Sequence, residues 1–273
     1  MDYRTFVPGP PLADFVDWFW HYEGFCPDHG KERVLPHGAM ELVIDLQEGP
    51  KRLFEREDHD RFREYRRGWI SGAHSEYIVI QATRNSSMMG VRFRPGGAYP
   101  LFGFPMTELQ DAVVELEAVW GAEAGGLRDQ LIGQRGPNQR FAVLEAFLRA
   151  RLRSAPPCPR VVTAALRAFG GAPHLETVSQ VAHHAGLSHK QMIHQFSRWV
   201  GLTPKLFCRI RRFQAVLERI EAGRPVDWAD LACACGYYDQ PHFVHDFTAF
   251  SGLNPTRYLL AYDGTFNYIP IRD

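Results

Sequence analysis

Several histidine, lysine and glutamine side chains stand in two similar segments in the last third of the chain. His189, Lys190 and His194 belong to the first segment, and Gln240 and His245 belong to the second. All of them have hydrogen-bond donors, which can bind acceptor atoms on the edges of nucleic-acid bases or on phosphates. They stand opposite apolar residues in the sequence, so they are predicted to lie on the outer faces of amphipathic helices.

The two segments are copies of one helical motif. The residues that recur are Ala182 and Ala232, Gly186 and Gly236, Phe196 and Phe247, Gly201 and Gly252, and Pro204 and Pro255. In each copy, apolar residues at helical spacing define two short helices, and a glycine ends the first of them. Each copy therefore predicts a helix-turn-helix unit. Two such units in one chain are typical of proteins that place two recognition helices on DNA.

Helix-capping residues support these boundaries. They are two capping boxes, Thr177 with Gln180 and Ser188 with Gln191, and two aspartates at the matching positions, Asp227 and Asp239. Such side chains bind the backbone amides that a helix start leaves unpaired. Between the copies, apolar residues from Leu206 to Ile220 recur at helical spacing, which predicts one long amphipathic helix ending at Gly223.

Residues from about 160 to 262 resemble the DNA-binding domain of the AraC/XylS family of transcription regulators. The resemblance rests on the paired motifs VAHHAGLSHKQMIHQFSRWVGLTPKLF and LACACGYYDQPHFVHDFTAFSGLNPTRYL. It includes the one-residue difference in glycine-to-phenylalanine spacing between the copies. The resemblance implies seven helices, with the long central helix holding two helix-turn-helix units that enter successive major grooves on one face of the duplex.

The resemblance also implies which residues contact DNA. The base-contacting positions fall on His189, Lys190, Ile193 and His194 in the first groove, and on Gln240, Pro241, Val244 and His245 in the second. His194 and His245 stand where relatives often have arginine, so bidentate recognition of guanine is less expected of this chain. The candidates for phosphate contacts are basic residues near the central helix and at the ends of the units, namely Arg198, Lys205, Arg209, Arg212 and Arg257.

Composition limits the class of protein. The chain of 273 residues has 31 basic and 31 acidic side chains, but from Cys158 onward it has 12 basic and 9 acidic ones, a net charge of about +3. No stretch approaches a transmembrane length and no signal peptide precedes the first domain, so we expect a cytoplasmic protein that does not bind a membrane. Five scattered cysteines do not form a disulfide framework, and Cys233 and Cys235 have no second pair with which to bind zinc.

The first part of the chain predicts an antiparallel β domain. Short strands are expected within residues 41–46, 68–73, 76–82 and 89–97, followed by helices over 111–153. Residues 51–67 mix both charges and predict a mobile, solvated hairpin loop. The blocks FVDWFWHYE, RVLPHGAMELVIDL and GVRFRPGGAYPLFGFPMTELQDAVVEL resemble the cupin-like sensor half of one branch of AraC-type regulators.

The predicted fold class is α+β, with two domains joined by a proline-rich linker. We expect a cupin-like domain with a helical extension over residues 1–152, a linker over 153–160, an all-α DNA-binding domain over 161–262 and a tail over 263–273. The resemblance implies that the first domain binds a small effector, dimerises, or does both.

An aromatic effector pocket is predicted in the first domain. It would use the rings of Trp18, Trp20, Tyr22, Trp69, Phe93 and Tyr99, and its central residues would be Trp18, Trp69, Arg92 and Arg94. Arg92 and Arg94 alternate with apolar residues, which predicts that they project on one face of a strand and hold an anionic effector. His37, Glu41 and His74 could contribute to a cupin metal site, but packing is the favoured role, so neither a metal nor another cofactor is expected.

The sequence favours a sequence-specific transcription regulator without catalysis. Its expected partners are double-stranded DNA, a small effector, RNA polymerase and a second copy of the chain. A second interpretation is an enzyme with a DNA-targeting domain, either a cupin-type oxygenase or a cysteine-based alkyl-transfer repair protein, although neither a metal-ligand cluster nor an activated cysteine motif is present. A third is a helical adaptor that binds only protein.

Overall fold

Two antiparallel sheets form the first part of the chain, in a computed structural model that describes residues 1–152, 157–171, 177–222 and 227–272. The strands are β1 (Asp2–Phe6), β2 (Val16–Phe25), β3 (Lys31–Val34), β4 (Glu41–Asp45), β5 (Lys51–Phe54), β6 (Phe62–Tyr65), β7 (Gly68–Ser71), β8 (Ile78–Gln81), β9 (Ser86–Phe93), β10 (Val113–Glu115) and β11 (Tyr268–Ile271). One sheet has the order β1-β2-β9-β4-β7-β10, and the other has the order β11-β3-β8-β5-β6. All four strands predicted from the sequence are present, but Val113–Glu115, which lie in the segment predicted to be helical, form β10 and pair with β7.

Residues 51–67 are more ordered than the sequence predicts. They contain β5 and β6, which pair antiparallel from Lys51 with Tyr65 to Phe54 with Phe62. Arg52 lies over the ring of Phe62 at 4.2 Å, so apolar and cationic side chains stabilise the hairpin despite its mixed charge. The expectation of a hairpin is right, but that of a mobile loop is wrong.

Helices cover the outer face of the six-stranded sheet. They are α1 (Tyr99–Phe102), α2 (Leu116–Trp120), α3 (Ala122–Ile132) and α4 (Pro137–Leu152), and 3-10 turns cover Leu12–Asp14 and Met106–Leu109. Phe19 of β2 stacks on Phe141 of α4 at 6.4 Å, and both rings are buried. The period-two alternation of the strand thus places Phe19 against the helices while Trp18 and Trp20 project from the opposite face.

Seven helices lie in the described residues between 160 and 261, as the family resemblance implies. They are α5 (Arg160–Gly171), α6 (Val178–His184), α7 (His189–Val200), α8 (Pro204–Glu221), α9 (Trp228–Ala234), α10 (Gln240–Ser251) and α11 (Pro255–Ala261). Residues 153–156 of the predicted linker and Gly223, the predicted end of the central helix, lie outside the described residues. The domain boundaries therefore stay predictions.

The central helix α8 packs against both helix-turn-helix units. Phe207 meets Phe196 of α7 with ring centroids 5.5 Å apart, and Phe213 meets Phe247 of α10 at 5.2 Å. Ile210 lies between these contacts and is fully buried. One apolar stripe at helical spacing thus fixes both helix-turn-helix units to the single helix α8.

Contacts between the two halves of the chain are extensive. Tyr99 stacks on Trp199 of α7 at 4.2 Å. Gly38 has a φ of 78° and lies against Phe207 of α8, where an added Cβ would come within 3.2 Å of the ring. The last strand, β11, joins the five-stranded sheet beside β3, so the tail that follows the helical domain ends within the β domain.

Candidate nucleic-acid interface

Both predicted recognition helices begin at caps built by their own sequence. Ser188 accepts a hydrogen bond from the backbone N–H of Gln191, whose side chain accepts one from the backbone N–H of Ser188. Asp239 accepts a hydrogen bond from the backbone N–H of His242 at 2.8 Å, and Pro241 occupies the first turn of α10. These caps fix where α7 and α10 start and so which residues face outward.

The turns that precede the recognition helices have the same geometry in both copies. Gly186 has a φ of 68° and Gly236 has a φ of 79°, a left-handed conformation that favours glycine. The residue after each glycine returns its N–H to the helix before it: Leu187 to the carbonyl of Ala182 and Tyr237 to that of Ala232, each at 3.0 Å. The sequence repeat is therefore also a repeat of structure.

The predicted base-contacting residues lie on the outward faces of α7 and α10. His189, Lys190, His194, Gln240, Pro241 and His245 are exposed, while Ile193 and Val244 are half-buried at the edges of the two faces. The opposite faces hold Met192, Phe196, Phe243 and Phe247, all fully buried. Each helix thus presents hydrogen-bond donors and at least one apolar side chain outward, the chemistry that base edges require.

An exposed tyrosine next to the second recognition helix was missed in the sequence. Tyr238 precedes the capping residue Asp239 and is 93% exposed, more than any other large hydrophobic side chain of the described residues. Its neighbour Tyr237 is buried against Phe243. The alignment of the copies matches Tyr237 with Leu187 as a core residue and Asp239 with Ser188 as a helix cap, so Tyr238 is the one extra residue of the second copy, which is the signal that could have identified it.

Two of the five predicted phosphate contacts are engaged inside the domain. Arg209 forms an ion pair with the buried carboxylate of Asp246 in α10, with Nη2 2.8 Å from Oδ1. Arg212 lies over the ring of Tyr237 and donates to the carbonyl of Gly236 at 3.3 Å. Their positive charges hold α8 to the second unit, so we drop both from the phosphate contacts. Sequence spacing could not reveal their partner, because Asp246 is 37 residues away from Arg209.

The other three basic candidates are exposed. Lys205 lies in the first turn of α8 and Arg257 lies in α11. Arg198 near the end of α7 donates two hydrogen bonds to the hydroxyl of Tyr99, at 3.1 and 3.3 Å. Beside it, a groove of about 480 Å³ separates the outward face of α7 from Pro105 and Thr107 of the β domain.

Two family models match the chain. Residues 181–261 match the model of a helix-turn-helix domain, and residues 4–115 match that of a domain of unknown function (DUF6597). The helix-turn-helix match covers the paired units and the central helix. The chain thus contains a helix-turn-helix domain of the AraC type, and its function is that of a DNA-binding transcription regulator. No curated protein matches this regulator.

Solved structures of regulators are similar to this one. ToxT from Vibrio cholerae is 8% identical, with a TM-score of 0.46, over 95% of this chain and 98% of that chain. The C-terminal domain of AraT, a response regulator from Geobacillus stearothermophilus, is 16% identical over 39% and 89% of the two chains, with a TM-score of 0.36. A DNA-binding transcriptional dual regulator from Escherichia coli K-12 is 19% identical over 38% and 99%, with a TM-score of 0.32.

The regulator has an aromatic face on the inner side of its six-stranded sheet. This aromatic face consists of Trp18, Trp20, Tyr22, Val43, Trp69 and Met88. Gly90 permits it, because a Cβ at that position would lie 2.4 Å from the indole of Trp20. Trp18, Tyr22 and Trp69 are only half-buried and keep surface that a ligand can contact. Trp18 and Trp69 of the predicted pocket are therefore on one face, whereas Phe93 is fully buried on the opposite face and Tyr99 packs on α7.

The arginines predicted for the pocket are separated. Arg92 lies over the ring of Trp18 at 5.2 Å, and its Nη1 is 2.7 Å from Oε1 of Glu41. Arg94 follows the end of β9 and is turned away, donating to the carbonyl of Ala13 at 2.8 Å and lying 3.3 Å from Asp17. The expectation that both project on one strand face is wrong, because the strand ends at Phe93.

The polar groups around Arg92 are matched in charge. His37 Nε2 lies 3.5 Å from Glu41, and burial lowers the pKa of His37 well below its ordinary value, with the charge of Arg92 adding to the effect. Burial also lowers the pKa of His74 to about 4, and its Nε2 lies 2.9 Å from the hydroxyl of Ser71. Both imidazoles are neutral at pH 7, and the charges of Arg92 and Glu41 offset each other.

The described residues bear on three further features, namely a metal site, a reactive thiol and a membrane-spanning helix. Within the part of the chain that the structure describes, no group of three or more His, Cys, Asp or Glu residues could hold a metal ion. Burial raises the pKa of the thiols of Cys158, Cys208 and Cys235, which disfavours the reactive thiolate. Of the described helices, none is long and apolar enough to cross a membrane.

Proposed function

We propose that the regulator binds its operator with α7 and α10 in successive major grooves. Bases would be contacted by His189, Lys190, Ile193 and His194 from α7, and by Gln240, Pro241, Val244 and His245 from α10. The observation that supports this most is the equivalence of the two outward faces, each opposite a buried aromatic pair and each packed on α8. A rigid central helix gives both units one fixed spacing, which two grooves of one duplex require.

Phosphate contacts would come from the exposed basic residues. Lys205 and Arg257 lie in the first turns of α8 and α11, the helices that follow the two recognition helices. Arg198 would join them once it leaves the hydroxyl of Tyr99. We propose Tyr238 as an additional contact, because a ring exposed beside the N-terminus of α10 is placed to meet the sugar-phosphate backbone or a thymine methyl group.

Selection of genomic fragments tests the DNA-binding proposal. The protein is immobilised at low salt, and the fragments that it retains are sequenced and then footprinted. One chain is expected to protect two adjacent major-groove segments about 34 Å apart on one face of the duplex. Failure to retain any fragment at low salt would overturn the proposal and favour the adaptor interpretation.

We further propose that the aromatic face binds a small effector that is flat and uncharged. Aromatic rings with partly free surface favour planar ligands. The sequence suggests an anion, but Arg94 lies elsewhere and the charge of Arg92 is offset by Glu41. The cation that lies against the rings, Arg92, is thus already paired with Glu41, so an anion buried beside the rings would lose its hydration, at a cost of several kcal/mol, without gaining Arg92 as a free partner. The neutral imidazoles of His37 and His74 would bind the polar edge of the ligand.

A matched pair of compounds tests the effector proposal. Coumarin is flat and uncharged, and coumarin-3-carboxylate is the same ring system with an anionic group. Calorimetric titration is expected to give binding of coumarin at millimolar or better affinity and at least tenfold weaker binding of the carboxylate. Trp18→Leu should abolish the difference, whereas Phe62→Leu on the exposed hairpin should leave it unchanged. Equal binding of both compounds, or tighter binding of the anion, would contradict the proposal.

A further inference from the structure

The C-terminal strand connects the DNA-binding half of the chain to the sensor. β11 pairs antiparallel with β3, in a register that runs from Tyr268 with Val34 to Ile271 with Lys31. Ile269 is fully buried in the main hydrophobic core. Only six residues separate β11 from the end of α11, so the pairing with β3 holds the end of the helical domain close to the sheet.

Tyr268 lies on the face of β11 opposite to Ile269, because successive side chains of a strand alternate. Burial raises the pKa of its phenol well above the ordinary value, and Glu41 and Arg92 of the six-stranded sheet are close enough for their charges to act on it as well. From this face Tyr268 is directed toward the side chains that surround Arg92, although it follows the last helix of the DNA-binding domain. The proposed effector site is thus built by both halves of the chain.

A buried amide joins the strand, the sensor and the central helix. The Nε2 group of Gln214 in α8 donates to the carbonyl of Pro36 at 2.8 Å and to Oδ1 of Asn267 at 2.7 Å. The backbone N–H of Leu35 donates to the carbonyl of Asn267 at 2.9 Å. Gln214 and Asn267 are both buried, so each lost hydrogen bond leaves a polar group without water.

With the two halves held together by these contacts, residues of the β domain cover one side of the first recognition helix, α7. Arg198 is bound to Tyr99, and Pro105 and Thr107 face His194 across the groove beside α7. A phosphate that binds the Nε–Nη2 edge of Arg198 in a bidentate manner must displace the hydroxyl of Tyr99. DNA binding by α7 therefore competes with the contact between the helical domain and the sensor.

We propose that β11 is a latch that closes the effector site with Tyr268 and holds the regulator in a position in which α7 is partly covered. The proposal rests on the proposed function, since it gives the regulation of the same effector site. A ligand that displaces Tyr268 weakens the pairing of β11 with β3 and frees α7. By linkage, DNA that binds α7 must weaken the latch to the same extent.

Hydrogen exchange on the full chain tests this linkage without a ligand. The amides of β3 that pair with β11 are compared with and without a retained DNA fragment. Faster exchange in β3 on DNA binding is expected, while the amides between β4 and β9 should exchange as before. Unchanged exchange in β3 at saturating DNA would overturn the latch.

Two substitutions test the latch through DNA affinity. Gln214→Met removes both buried hydrogen bonds while keeping the length of the side chain. Asn267→Gly removes the acceptor and suits the φ of 65° at that position. Each is expected to raise affinity for DNA about fivefold or more, the lower end of usual couplings between sites. Leu260→Ala, at an exposed residue of α11, is the control and should leave affinity unchanged.

The outcomes separate the latch from the effector proposal. If Asn267→Gly keeps its circular dichroism spectrum and melting temperature but binds DNA as the wild type does, the latch is wrong. If coumarin fails to bind while the substitutions raise DNA affinity, the latch holds and the ligand class is wrong. Tyr268→Leu is expected to weaken coumarin binding at least threefold, and unchanged binding would remove Tyr268 from the effector site.

Discussion

Arg209 and Asp246 form the ion pair that ties the central helix to the second recognition helix, with Nη2 and Oδ1 2.8 Å apart. Asp246 is buried, whereas the side chain of Arg209 is 29% exposed. His242 and His245 also lie within 4 Å of this carboxylate. The ion pair thus fixes the orientation of α10 from its buried side. Arg209, although it is a basic residue near a DNA-binding helix, therefore positions that helix.

The first prediction separates positioning from phosphate contact. Arg209→Ala should lower the free energy of unfolding by about 2 kcal/mol, because it leaves a buried carboxylate without its cation. Lys205→Ala should leave stability unchanged but reduce the slope of log affinity against log salt by about 1, the effect of one lost phosphate contact. Urea unfolding and salt titrations of DNA binding measure the two quantities. A full salt slope in Lys205→Ala would remove Lys205 from the phosphate contacts.

The second prediction concerns base recognition. His194→Ala and Gln240→Ala should each lower discrimination at one base position by roughly 1 to 3 kcal/mol while hardly changing non-specific binding. The reason is that both side chains lie on the outward faces and have no protein partner among the described hydrogen bonds. Binding of a randomised operator library measures preference at each position. Unchanged preference in both variants would show that the base-contacting residues are assigned wrongly.

The third prediction tests the central helix as a rigid support. Ile210→Ala should cost about 2 to 5 kcal/mol of stability because it opens a cavity between the two units. DNA binding should weaken although the side chain is fully buried. Leu260→Ala, which is 83% exposed, should change stability by less than about 0.5 kcal/mol. A loss in Ile210→Ala no larger than in this control would contradict the packing argument.

The fourth prediction follows from the pKa of His74. Burial lowers it to about 4, whereas in the unfolded chain it is near the ordinary value of 6.5. Below pH 6.5 the unfolded chain binds a proton that the folded chain does not, so stability falls as the pH falls toward 4. The loss is about 2 kcal/mol between pH 7 and pH 5. In His74→Gln, urea unfolding should show a smaller loss by that amount, and an equal loss would show that His74 does not titrate in this way.

Much of the helical domain follows from the sequence because its rules are local. The caps at Thr177 and Ser188 each form both bonds of a capping box, as their spacing predicts. The buried face of α8 is also readable from a period of 3.6 residues. The role of a side chain whose partner is distant in the sequence cannot be predicted in this way. Arg209 and Arg212 resemble solvated basic residues until Asp246 and Tyr237 are placed beside them.

The β domain was harder to predict for the same reason. Trp18 and Trp69 are separated by 50 residues of sequence and share a face only through β9 and β4. The end of β9 at Phe93 moves Arg94 out of the site, and strand ends are poorly marked by alternation alone. The pairing of β11 with β3 joins residues more than 230 positions apart, so no local pattern could indicate it.

The position of β11, which follows the helical domain but pairs in the β domain, has a consequence for engineered chimeras. One strand of the five-stranded sheet belongs to the segment after the last helix, so the β domain is not complete within the first part of the chain. Fusing residues 1–152 to a foreign DNA-binding domain would leave the backbone groups of β3 unpaired along an edge. Such an open edge is a template for pairing with another chain, so the chimera would self-associate unless the last segment were grafted with the sensor.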